Sequence, residues 1–347
     1  MKKKSHYKGI LTHSEMQAFK NCRYKWHWRY RERLVPTEKV TPLEFGSAVH
    51  EGLEFWFRYG KAQDAVTIGV ERAKKGGLDL EDQIKVQACL ERYFEVYPEE
   101  EFEVVDVEKE FVVPLVNPNT LFTSHSFKLS GKVDGLVTIG DEWNKRWYIL
   151  EHKTAADISE AYKRRILIDT QIAIYATAIG QELFQTIHGA IYDVIKKPAI
   201  RMKQGETEEE FEARKAELLK KSKTGKTTAK RQEAETPEAF LQRCREALTR
   251  DCFQRFVVEL SQKDQLKILD ETWKVAQDMM HPTIYRNTDV CAQKGRECPY
   301  LELCRANGDL ELCPGMFVKR ESHEELSSNL KIKYSKQRDI EDFLEDE

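Results

Sequence analysis

No run of apolar residues in this 347-residue chain reaches the length of a membrane-spanning helix, so a transmembrane segment is excluded. The first residues, MKKKSHYKGI, are basic, but no apolar stretch follows them, so no secretory signal peptide is expected. A global excess of positive charge is also missing. With 56 Lys and Arg against 59 Asp and Glu, the net charge is −3, so any nucleic-acid contact must come from local patches. The chain lacks a complete phosphate-binding loop: Lys223-Thr224-Gly225-Lys226-Thr227 looks like the end of one, but the first glycine that motif needs falls at Lys220. Between residues 203 and 236 large apolar side chains nearly disappear, as in a solvated linker. A soluble protein in the cytoplasm is the expectation. Eight cysteines without a leader then favour metal or cluster ligation over disulfides.

The remaining length can bury a real core, in one large or two modest domains. Its centre is the stretch 129–154. LSGKVDGLVTI and WYILEHKT read as two strands, with GDEWNKR as the turn between them. Asp134 lies in the first strand; Glu151, His152 and Lys153 end the second. Side chains two apart on a strand share a face, so Glu151 and Lys153 point together while His152 points away. Two carboxylates and a lysine converging on one sheet face suit a hard divalent cation and an activated water.

Around this pair the pattern is helix, strands, helix, strand. Ser14 opens a capping-box pattern for a helix expected to run on through Tyr30, in which Arg23, Lys25, Arg29, Arg31 and Arg33 alternate with Tyr24, Trp26, Trp28 and Tyr30. That mixture suits a nucleic-acid strand, with charges for phosphates and rings for bases; the other reading is an amphipathic helix whose rings are core. Thr41 and Pro42 start a second helix with a Phe45, Val49, Leu53, Trp56 stripe, and His50 sits beside it. Residues 102–116 read as the strand before the central pair. Asp157 with Glu160 predicts a helix to about Leu183, buried through Ile168, Ile172, Ala176, Ile179 and Leu183, with Gln171 and Tyr175 one turn apart on its margin. Residues 187–195 read as a further strand. Residues 203–236 form a charged insertion, either a linker or a basic flap over a nucleic-acid groove. Residues 237–280 look helical, and Cys291, Cys298, Cys304 and Cys313 crowd the end of the chain.

Asp134 followed by Glu151-x-Lys153 resembles the split signature of the PD-(D/E)XK nucleases. GSAVHEGLE, ILEHKT and Gln171-x-x-x-Tyr175, in that order, resemble its RecB-like branch. The resemblance implies an α/β fold: a restriction-endonuclease-like core with a mixed central sheet flanked by helices, and a helical C-terminal lobe closed by a cysteine cluster. It implies Mg²⁺ or Mn²⁺ held by His50, Asp134, Glu151 and the His152 carbonyl, with Lys153 acting on the attacking water and Gln171 and Tyr175 positioning DNA. It also implies a [4Fe–4S] cluster on Cys22, Cys291, Cys298 and Cys304, as in AddB-type and CRISPR-associated exonucleases. Six residues separate Cys291 from Cys298, where that family commonly has two, so Cys313 competes as a ligand. A local Zn²⁺ site on Cys291, Cys298, Cys304 and Cys313 is the alternative.

The expected layout is therefore an N-terminal helical region over 1–100, a nuclease core over 101–200, a flexible charged insertion over 201–236, a cysteine-bearing helical lobe over 237–320 and an acidic tail over 321–347. The expected activity is exonucleolytic, on single-stranded DNA or DNA ends, in recombination, repair or replication. A helicase or recombination protein would be a partner, and a phage or mobile element would suit such a stand-alone nuclease. Competing readings are a non-catalytic DNA-binding protein on the same fold and an RNA-processing nuclease.

Overall fold

A computed structural model describes residues 9–38, 41–222, 227–293, 296–321, 323 and 326. Most of the expected acidic tail, and Lys223 and Lys226 of the basic run, lie outside the described residues.

Strand β1 (Gly9–Leu11) leads into helix α1 (His13–Asn21). Thr12, not Ser14, is the N-cap, and its hydroxyl accepts the Glu15 N–H at 3.2 Å. The single helix expected through Tyr30 is also corrected. The chain turns extended at Cys22 (φ −157°, ψ 117°) before α2 (Arg23–Trp26) and a π-helical turn, His27–Arg31. Packing spans the break: Phe19 and Trp26 meet edge-on at 5.0 Å, and the Trp26 indole donates to the buried Glu15 carboxylate at 2.9 Å. Trp26 and Tyr30 are core residues, so for these two rings the amphipathic-helix reading holds.

After β2 (Leu34–Pro36), helices α3 (Thr41–Tyr59), α4 (Ala62–Lys75) and α5 (Leu80–Val96) form one layer. Phe45, Val49 and Leu53 are buried as the stripe predicts, and Trp56 packs at the core edge.

The sheet follows, as β3 (Glu103–Val116), β4 (Thr123–Ile139) and β5 (Arg146–Ala155). Strand β4 pairs antiparallel with β3 along nearly its whole length. Its other edge is divided. Gly135 to Ile139 pair antiparallel with β5, Phe127 to Leu129 pair parallel with β1, and residues 130–134 between them have no strand on that edge among the described residues. The sheet forks there.

The helix expected over 157–183 is two helices, α6 (Glu160–Ile166) capped by Ser159 and α7 (Thr170–Leu183) capped by Asp169. The turn between them leaves Ile168, expected in the core, 76 % exposed; Ile172, Ala176 and Ile179 are buried as expected. Strand β6 (Ile187–Lys196) runs parallel to β5 through Ala155↔Lys196.

The charged insertion carries helix α8 (Glu208–Lys221), started by a capping box between Thr207 and Glu210, and none of its residues is buried. Its base is tied by Glu206 N–H to the Gln232 carbonyl at 2.9 Å and Glu235 N–H to the Lys203 carbonyl at 3.1 Å. Helix α9 (Pro237–Ala247) packs on α5. Residues expected within a helical lobe then form strand β7 (Phe253–Glu259), which pairs antiparallel with β6 and joins the central sheet. Helix α10 (Gln262–Met280) buries Ala276 and Met279 in the same core as α7. The six-stranded sheet is thus mixed, with α3, α4, α5 and α9 on one side and α1, α7 and α10 on the other.

The chain ends with a short hairpin, β8 (Ala292–Gln293) and β9 (Arg296–Glu297), helix α11 (Leu301–Arg305), and β10 (Phe317–Lys319), which pairs with β2. The Tyr300 hydroxyl donates to the Leu34 carbonyl at 2.8 Å, so the C-terminal segment is fastened to the N-terminal one. Among the described residues no helix is long and apolar enough to cross a membrane.

Candidate active site

The fork in β4 is where the predicted residues meet. Asp134 is the first residue beyond the last β4–β5 pair, and β5 runs on past it with its edge unpaired among the described residues. An unpaired backbone N–H is expensive to bury. The His152 N–H is satisfied by Asp134, whose Oδ2 accepts it at 2.7 Å. The same oxygen lies 3.6 Å from His50 Nδ1 on α3. Glu151 is 3 % exposed, and its Oε1 accepts from Lys153 Nζ and, at 3.1 Å, from Gln171 Nε2 on α7. One carboxylate is therefore held from the α3 layer and the other from the α7 layer.

The alternation explains how Asp134 turns toward α3. Phe127, Leu129 and Val133 face the α7 core; beyond Gly135 the core position passes to Leu136, while Val137 packs under α3 with Phe57 nearby. The phase of the pleat steps at the fork. Lys132 and Asp134 consequently line an open cleft of about 970 Å³ beside His50, with Lys153 on its other wall.

Electrostatics follow from this crowding. Burial, then the Asp134 charge, push the Glu151 carboxyl up to about 6 despite Lys153. Burial works the same way on Asp134, but the nearby His50, with His152 and Lys153 adding, holds that carboxyl well below the usual range. Burial opposes the charged form of His50, and Asp134 more than compensates, raising it. Lys153 is likewise raised, by Glu151 against burial.

Among the described residues no three His, Cys, Asp or Glu side chains come together as a metal-binding group. Asp134 is paired here with His50 and Glu151 with Lys153. Their chemistry nonetheless suits a hard divalent ion: two buried carboxylates close enough for one to raise the other, beside an imidazole on an open cleft.

Other predicted residues fall differently. Tyr175 is buried at 6 % exposure, its ring 5.2 Å from Phe111, and it packs where a side chain at Gly131 would collide with it at 2.9 Å. Gly131 is the space that lets α7 approach the sheet. The His152 ring points to the α3 side, stacked on Phe57 at 5.2 Å. Sequence reasoning missed Glu108 and Lys132, which form an ion pair on the cleft wall. In the β3–β4 register Glu108 falls opposite Asp134, a relationship that neither strand shows alone.

A second constellation lies at the chain ends. Cys22, Cys291, Cys298 and Cys304 line one small cavity of about 20 Å³, with Tyr300 also in its wall. The extended turn after α1 is what places Cys22 there. Cys313 does not line that cavity; it is buried with Leu34, Tyr300 and Leu303 in a cluster against which Cys298 also packs. Burial pushes the Cys298 thiol up, and the neighbouring Cys291 and Cys22 act in the same direction. The four thiols are of the donor type that suits a soft metal or an iron–sulfur cluster, though among the described residues they do not draw together as a metal-binding group.

Compared with known families, residues 10–305 match the sequence model of the PD-(D/E)XK nuclease superfamily. No curated protein matches the chain.

Proposed function

The chain belongs to the PD-(D/E)XK nuclease superfamily, whose members are generally metal-dependent phosphodiester hydrolases, and we propose that it is a DNA exonuclease of the RecB-like kind. The observation that carries this is that Asp134 and Lys153 line one cleft at a sheet fork, with Glu151 paired to Lys153.

Asp134, Glu151, His50 and the His152 carbonyl would hold Mg²⁺ or Mn²⁺; the imidazole favours Mn²⁺ over an all-oxygen set. Such an ion polarises the scissile phosphate and lowers the pKa of a bound water. Lys153, on the cleft wall, orients the attacking water and offsets charge that builds on the phosphate. Gln171 keeps Glu151 turned toward Lys153, and Tyr175 sets the height of α7 over the sheet. His50 would ligate as the neutral imidazole. Single-stranded DNA or DNA ends are the proposed substrate, in recombination or repair beside a helicase partner.

The four thiols of the chain-end cavity would hold a [4Fe–4S] cluster that closes a loop across nearly the whole chain and fixes α1 against the C-terminal segment. Exclusion of Cys313 from that cavity favours this set over a local Zn²⁺ site. Metal analysis of anaerobically purified protein decides: iron and acid-labile sulfide lost in Cys22→Ser and kept in Cys313→Ser support the set. Zinc that survives Cys22→Ser contradicts it.

The activity is tested with end-labelled single- and double-stranded DNA, and RNA, in Mg²⁺, Mn²⁺ or chelator. Stepwise loss of nucleotides from DNA ends that chelator abolishes is the expected result. Cleavage confined to RNA, or unaffected by chelator, contradicts it.

A further inference from the structure

Behind the active strand lies a buried polar cluster whose residues do not line the cleft. The β5–β6 register sets Asp193 beside His152, and Nδ1 of His152 lies 3.5 Å from Asp193 Oδ2. The same oxygen accepts from the Tyr93 hydroxyl on α5 and, at 3.3 Å, from Arg255 Nη2 on β7. Arg255 donates also to Tyr93 at 2.8 Å and to both oxygens of Glu100, and its guanidinium lies 3.7 Å over the Tyr97 ring. Asp193 and Tyr93 are 0 % exposed, and His152 4 %. The imidazole is closed in by Phe57 at 5.2 Å and by the edge of His50 at 6.0 Å.

Stability alone does not account for this arrangement. Asp193 stands among Ile191, Tyr192, Val194 and Ile195 on a buried strand, and a buried ion network is often no more stable than apolar side chains of like size. Among the described residues neither Asp193 Oδ1 nor His152 Nδ1 has a hydrogen-bond partner, so the 3.5 Å approach of Asp193 to the ring is a close polar contact rather than a hydrogen bond. What an apolar residue could not do is hold an imidazole. His152 is the residue between Glu151 and Lys153, and its N–H is already fixed by Asp134. Pinning the ring on one face therefore fixes the pleat from which Glu151 and Lys153 project on the other.

We propose that Asp193, itself oriented by Tyr93 and Arg255, is a positioning residue that acts through the His152 ring to hold Glu151 and Lys153 in register with Asp134. The proposal rests on the nuclease reading for its effect on rate, but not for the contact itself. Partners that orient site residues from behind typically account for about 10- to 100-fold in activity or metal affinity.

The test is Asp193→Asn in the full chain, alone and in a His152→Phe background. Asp193→Asn should lower kcat about 10- to 100-fold with KM for DNA nearly unchanged, and should move the ¹⁵N shifts of the His152 imidazole. In the His152→Phe background it should change kcat less than about two-fold, because the residue it acts through is gone. An unchanged kcat, or an equal fall in both backgrounds, overturns the proposal. If Asp193→Asn does not fold, Asp193→Asn with Arg255→Met removes both charges together; a wild-type kcat from that pair also overturns it. If the wild type cleaves no nucleic acid, the nuclease reading fails, and the ¹⁵N shifts still decide. Unmoved shifts in Asp193→Asn mean that Asp193 does not hold the ring.

Discussion

Asp134 holds the backbone of the residue that separates the other two members of its own site: its Oδ2 accepts the His152 N–H at 2.7 Å. A carboxylate here completes the hydrogen bonding of a strand edge that β4 has left. The fork that exposes this N–H also opens the cleft, so the feature that breaks the sheet and the feature that makes the site are the same.

Gln171 is the α7 counterpart of this contact. Replacing it with Leu removes a donor to a buried carboxylate, and such bonds to charged groups contribute about 1.5–3 kcal/mol. Gln171→Leu should lower kcat about 10-fold or more in a steady-state cleavage assay, with thermal stability within a few degrees of wild type. A kcat within two-fold of wild type would detach Gln171 from the site.

His13 gives the fold an acid limit. Its ring lies 3.2 Å from the Thr170 hydroxyl and 3.0 Å from the Gln17 amide, and burial lowers its pKa to about 4 from an ordinary 6.5. Above pH 6.5 folded and unfolded chains both carry the neutral ring. Between pH 6.5 and 4 the unfolded chain takes up a proton that the folded chain refuses, so stability is lost as pH falls. With the ring partly open to solvent the loss is at most roughly 2–3 kcal/mol. Chemical denaturation of His13→Gln at pH 7.5 and 4.5 should show a smaller drop than wild type. An equal drop assigns the acid sensitivity elsewhere.

The arm carrying α8 stands outside the core, since none of its residues is buried and its base closes on itself. Four of its described cations are already engaged: Arg214 with Glu206, Lys215 with Glu212, Lys221 with Glu217 and Arg231 with Glu208. Joining residues 206 and 232 through a short Gly-Ser link should leave Tm within about 2 °C, under 1 kcal/mol at this size. The salt dependence of DNA binding should lose less than about one phosphate contact. A larger loss of slope would restore the flap reading.

How much of this was legible in the sequence depended on range. The β4–β5 pair showed through short-range alternation, and the opposite facing of His152 followed from the strand period. The family motifs supplied Asp134, His50 and Gln171, which lie on three different elements. Cys22 as a helix break did not show, because Phe19 and Trp26 hold a helical spacing across it. The cap at Ser159 hid beside an equally good pattern at Asp157, which pairs with Lys196 at 3.0 Å instead. Strand β7 was lost among helical neighbours, since its seven residues pair with β6 across the whole insertion, from Ile195↔Phe253 to Gly189↔Glu259. Asp193 and Arg255 meet only through that pairing, and no local pattern marks them or Glu100.

The central claim is that Asp134 and Lys153 perform the chemistry while the cleft binds DNA. Single-turnover cleavage of end-labelled DNA in Mn²⁺, with binding measured in parallel, tests it in wild type, Asp134→Ala and Lys153→Ala. Both variants should lose at least roughly 10²–10³ in rate, as for removal of one electrostatic donor, and still bind DNA within a few-fold of wild type. A rate within a few-fold of wild type in either variant would contradict the account.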